Sequence, residues 1–163
     1  MFAQAPSQAS AASSGDTVLR AVDLETLLPP AVFFNGQSAT VQTRHTGGVR
    51  FAGEAVMFAT KVDTGGYSSS IQERYQAYLI TEVALTIGTN RLPPGAYGVG
   101  FINSKFVVMD VGGHDLFMAD SQRDDALLRP TPLQVLADRA PQSYRLYGGR
   151  TFVVFGRASN PGK

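Results

Sequence analysis

From Tyr75 onward the sequence places Tyr75, Ala77, Leu79, Thr81, Val83, Leu85 and Ile87 at every second position, seven in a row without a charge. A helix turns about 100° per residue and would carry several of these side chains to water, whereas an extended backbone points them all to one side. The same region holds a rival signal, since Ser70 and Glu73 stand at capping-box spacing. The period-two run is the longer pattern, and it predicts one long strand or two strands that bend near Thr81-Glu82.

Turn chemistry on either side agrees. Asn35-Gly36 lies between an apolar run and an alternating one, and Asn-Gly is the strongest short hairpin signal because both residues accept positive φ. After it, Ala39, Val41, Thr43 and His45 fall on one face of a strand that Gly47-Gly48 is expected to close. Next, Val56, Phe58, Thr60 and Val62 alternate with Met57, Ala59 and Lys61. Asn103-Ser104 is expected to reverse the chain between two further strands, and the closing segment from Tyr144 reads as a hairpin that turns at Gly148-Gly149. Gly-Gly doublets at 47, 65, 112 and 148 thus sit beside apolar strands, and no crossover helix of the length a parallel sheet needs is visible. Before the first hairpin, Val18, Leu19, Val22, Leu24 and Leu27 fit a short helix or an extended arm equally well.

These signals predict an all-β domain over 16–158, an antiparallel β-sandwich or small β-barrel of roughly 7–10 short strands with at most one or two short helices. A leader rich in Ala, Ser and Gln occupies 1–15, and 159–163 form a tail. Ala3-x-Ala5 resembles the small-residue end of a secretory signal peptide, so an exported, periplasmic or extracellular protein is expected.

Composition narrows the function classes. Without cysteine there are no thiol nucleophiles, thiolate metal sites or disulfides. The 14 cations are scattered and the net charge is +1, so nucleic acid is not an expected partner. No apolar run approaches the roughly 18 residues of a membrane span.

The segment "RLPPGAYGVGFINSKFVVMDVGGHD" concentrates the candidate site. Its glycines run G-x-x-G-x-G, the reverse of a dinucleotide fingerprint, and no helix follows to hold a phosphate. Over Arg91–Phe101 it is similar to the Leu-Pro-x-Gly-x-Tyr hairpin of several secreted bacterial β-domains, a likeness that assigns no family. Gly98 and Gly100 alternate with Tyr97, Val99 and Phe101 and leave one face bare, open to close approach by a neighbouring residue or a ligand. His114 follows Asp110 and Gly112 on the same alternation. Glu82 interrupts an apolar run and needs a partner if it points inward.

Six residues are therefore candidate ligand contacts: His45, Glu82, Tyr97, Gly98, Gly100 and His114. No coherent catalytic set emerges, and no cofactor or metal is expected. The leading expectation is a non-enzymatic domain of the binding or assembly class, with a small apolar molecule or a glycan as ligand. Arg44, Arg74 and Arg145 together with tyrosines offer a lining for such a ligand. Two alternatives stand beside it. One is a small hydrolase or isomerase using His45, His114 and Asp110. The other is a structural subunit that forms a homodimer by pairing the strand of Tyr75–Ile87 across an edge.

Overall fold

The computed structural model describes residues 15–159, so all but the last residue of the leader and most of the tail lie outside the described residues. Two antiparallel sheets face one another as a sandwich and do not close into a barrel. The first contains β1 (Thr17–Leu19), β2 (Ala31–Phe34), β3 (Gln37–Arg50), β4 (Val56–Val62), β5 (Ala77–Thr81), β8 (Gly95–Ile102), β9 (Lys105–Met109) and β10 (Asp115–Asp120). The second contains β6 (Leu85–Ile87), β7 (Asn90–Leu92), β11 (Gln122–Arg123), β12 (Thr131–Ala137), β13 (Tyr144–Gly149) and β14 (Thr151–Arg157). Two four-residue helices, α1 (Ala21–Leu24) and α2 (Ser69–Gln72), complete the described elements. The spatial orders are β1-β3-β4-β5-β8-β9-β10, with β2 beside β3, and β12-β13-β14-β6-β7, with β11 beside β14.

The predicted turns form for the expected reason. Asn35 and Gly36 have φ of 49° and 83° and join β2 to β3, and Asn103 and Ser104, at 50° and 64°, join β8 to β9. Positive φ at both central residues gives a two-residue hairpin loop the twist of its strands. The Tyr75–Ile87 run is two strands in different sheets. The Thr81 hydroxyl donates to the Val83 carbonyl at 2.6 Å and accepts the Val83 N–H at 3.2 Å, which tightens the bend where the chain leaves the first sheet. The competing capping signal is also realised, as the single turn α2. Of the two readings of the first apolar segment, both occur: Thr17–Leu19 is strand and Ala21–Leu24 is helix.

Two expectations are corrected. Gly47-Gly48 does not close a strand; β3 continues through it to Arg50. A Cβ on Gly47 would lie 2.8 Å from the Val135 backbone nitrogen, and one on Gly48 would run into the Met57 carbonyl, so these glycines let β12 of the opposite sheet and β4 approach closely. Nor does the Tyr75–Ile87 run offer an edge. β5 is paired on both sides, by β4 and β8, and β6 by β14 and β7.

The core fills three places. Met57, Leu79, Leu85, Val99, Phe106, Val108, Leu146, Val153 and Phe155 meet between the sheets. Val32, Phe34, Tyr67, Tyr75, Tyr78 and Val107 form a second cluster on the outer face of the first sheet, under the β2–β3 hairpin. Leu19, Leu24 and Phe58 form a third beneath α1. Because the first sheet is covered on both faces, its central strands are apolar at nearly every position, as in "KFVVM".

Candidate functional site

The sequence candidates go to different places. Tyr97 is buried, and its hydroxyl donates to the Pro93 carbonyl at 2.7 Å, closing the turn that enters β8. The bare face at Gly98 is filled by the Phe34 ring, which a Cβ there would strike, and Phe34 stacks on Tyr75 with centroids 3.9 Å apart. A Cβ at Gly100 would meet the Arg74 carbonyl oxygen, and the Gln76 carboxamide lies beside it. Close packing thus occupies the face that composition had left open to a ligand. Glu82 is exposed, and its carboxylate accepts the Val56 N–H at 2.8 Å, a bond that extends the β4–β5 ladder by one step.

His114 stands 81% exposed in the turn between β9 and β10. The Asp110 carboxylate accepts its backbone N–H at 3.0 Å and that of Gly112 at 2.9 Å, and the imidazole Nδ1 lies 3.2 Å away. The His114 backbone bond is the main cause holding the Asp110 carboxyl below its ordinary pKa. His45 is elsewhere. Gln42 pairs Lys61 and Thr46 pairs Thr60, so Thr43, Arg44 and His45 form a three-residue bulge at the β3–β4 ladder, with β5 and β8 between it and β9. The structure brings Asp110 and His114 together and leaves His45 apart. Among the described residues no three of His, Asp and Glu are grouped to hold a metal ion.

The most developed polar constellation lies on the outer face of the second sheet. Alternation along β13 puts Tyr144 and Leu146 in the inter-sheet core and Arg145 and Tyr147 on the other side. Arg145 Nε donates to Asp138 Oδ1 at 2.8 Å, and its Nη1 donates to Asp124 Oδ2 at 3.3 Å and to the Tyr147 hydroxyl at 3.1 Å. Tyr147 in turn donates to Asp124 Oδ2 at 2.6 Å, and Ser143 to Asp138 Oδ2 at 3.2 Å. Beneath the guanidinium, its carbon lies 4.2 Å from the centroid of the Phe152 ring, a cation–π contact. Arg145 and both carboxylates are less than one-fifth exposed.

This network opens into a groove of about 620 Å³, walled by β12, β13 and the 124–129 loop. The loop is pinned from within: Arg150 Nη1 donates to the Leu127 carbonyl at 2.7 Å, and Gln134 Nε2 to the Arg129 carbonyl at 2.9 Å. Arg129, Arg139 and Leu128 line the rim, and Leu128 is 93% exposed.

The electrostatics keep each of these groups in its usual charge state near neutral pH. The Tyr147 hydrogen bond lowers Asp124 and the Arg145 hydrogen bond lowers Asp138, while the Asp138 bond raises Arg145 and burial raises Tyr147. Each group moves away from neutrality, where an efficient general acid or base should sit. What the set presents is a rigid array of acceptors on the two carboxylates and spare donors on the guanidinium, suited to hydroxyl groups.

Arg145 was among the arginines the sequence offered for a ligand lining; Asp124 and Asp138 were missed, because only the fold brings three segments of the chain to one point. A second groove, of about 420 Å³, runs along the other side of β12 and is lined by Arg44, His45, Pro130, Pro132 and Leu136. Comparison with family models, with curated proteins and with solved structures finds no significant match to this chain.

Proposed function

We propose that the chain is a non-catalytic binding domain, exported from the cytoplasm, that holds a carbohydrate in the groove over β12 and β13. The observation that carries this reading is the Arg145 network. A guanidinium clamped between Asp124 and Asp138 and laid on Phe152 is preorganised, so a ligand that bonds to it need not order it. Calorimetric titration with a panel of neutral and acidic oligosaccharides tests it. Saturable binding that weakens in Arg139→Ala, a rim change that leaves the network intact, is expected. A panel without any saturable binder, or a ligand that is turned over, would remove the reading. Fractionation of cells that express the full-length chain tests export.

A second reading has one specific observation in its favour. β10 is an open edge of the first sheet, and Leu116 and Met118 on it are about half exposed. Such an edge suits pairing with a second copy. Light scattering after size exclusion should then show a dimer that Met118→Lys dissociates.

A further inference from the structure

β4 runs through the middle of the first sheet, and its residues Met57, Ala59 and Lys61 share one side of the strand. Met57 and Ala59 belong to the core between the sheets, so Lys61 is a lysine at a core-facing position. Lysine is rarely buried without a partner. Its ladder neighbours, Gln42 and Ala77, carry no charge, and neither an ion pair nor a hydrogen bond engages its amine among the described residues. Lys105, by contrast, is bonded to Asp120 at the surface.

Lys61 lines a cleft between the sheets with Gln76, Gly100, Phe101, Pro132 and Tyr147. The polar side chains on that wall are already committed. Gln76 Nε2 donates to the Phe101 carbonyl at 2.9 Å and its Oε1 accepts the Phe101 N–H at 2.9 Å, while the Tyr147 hydroxyl is turned to the outer face of the second sheet, where it bonds Asp124. The cleft has about 30 Å³ of free space, near the volume of two water-sized probes. Partial burial lowers the Lys61 pKa and enlarges the fraction of free amine.

We propose that Lys61 is a covalent capture site for small aldehydes, which it holds as imines in the cleft between the two sheets. The amine lone pair adds to the carbonyl carbon to give a carbinolamine. Its oxygen then leaves as water while a C=N bond replaces C=O, and solvent at the mouth of the cleft exchanges the protons. No electrons are gained or lost overall. Apolar walls and the size of the cleft select an alkyl group of one or two carbons, and a bulky aromatic aldehyde does not enter.

Reductive alkylation of the full chain, with acetaldehyde and cyanoborohydride at pH 7 and peptide mass spectrometry, reads the site directly. Lys61 should be alkylated about tenfold faster than Lys105, and the advantage should vanish with a naphthaldehyde. Lys61→Arg should melt near the parent temperature and lose the fast-labelled peptide. If Lys61 reacts no faster than Lys105, its amine reaches solvent along its own stem and is an ordinary surface amine, and the proposal fails. An advantage that persists with the naphthaldehyde would place the reaction outside the cleft and would overturn it equally.

Discussion

The two sheets treat their outer faces in opposite ways. Outside the first, the β2–β3 hairpin folds back and seals Phe34, Tyr67 and Tyr75 beneath it, so a surface that could have been a ligand platform is a second core. Outside the second, the 124–129 loop walls an open groove, and at its side lies Arg145 between two carboxylates. Aromatic rings stand on both faces. The difference is what covers each ring: Phe34 stacks on Tyr75 over the bare backbone of Gly98, whereas Phe152, with the Tyr147 ring at its side, carries a guanidinium on its face. A ring against a ring at a glycine closes a surface; a ring under a clamped charge keeps one usable.

Changes on the sealed face should cost the most. Phe34→Ala removes a fully buried ring from its stack and should cost about 4 kcal/mol in chemical denaturation. Gly98→Ala drives a methyl into that ring and should cost about 2–3 kcal/mol. Combined, the two should cost less than their sum, because the methyl enters space the ring has left. Strict additivity in that cycle would mean that Phe34 and Gly98 do not press on one another.

On the open face, Arg145→Met should cost about 2 kcal/mol, since charge-assisted hydrogen bonds are lost and two carboxylates are left close together. It should also abolish binding in the groove. The pH dependence follows from the same groups. Asp124 and Asp138 have folded pKa values below their unfolded ones, so their contribution is complete above the ordinary carboxylate value of about 3.9 and is lost as pH falls through the folded values. Melts from pH 7 to 2.5 should therefore decline below about pH 4, and less steeply in Arg145→Met. The smallest effect belongs to His114→Ala. With its side chain in solvent and only Asp110 beside it, the change should stay within about 0.5 kcal/mol in the same assay.

The sequence exposes one side of this contrast better than the other. Hairpins are local, so Asn35-Gly36 and Asn103-Ser104 could be placed from their own chemistry, as could the bend at Thr81-Glu82, while the last hairpin turns one residue later than Gly148-Gly149 suggests, because Gly148 still pairs Thr151. The bare face at Gly98 and Gly100 was visible too, but its occupants were not, because Phe34 is 64 positions away from Gly98 in the chain. Gly47-Gly48 misled for a related reason. A glycine that turns the chain and a glycine that admits another strand look alike until the opposing strand is known. The Arg145 network needs Asp124 and Asp138, each supplied by a separate connection, and no spacing rule joins them. Its one sequence trace was Arg145, offered as lining for a ligand without the two carboxylates that hold it.

The position of β14 sets an order of events during synthesis. It is the last of the described strands yet lies inside the second sheet, between β13 and β6. The β6–β7 hairpin is made early, and its pairing partner leaves the ribosome about 60 residues later, at Phe155–Arg157. Until then the nascent chain carries an unpaired β6 edge. Whatever guards that edge during synthesis, a chaperone or the speed of elongation, has as much say in the yield of folded protein as any contact in the finished sandwich.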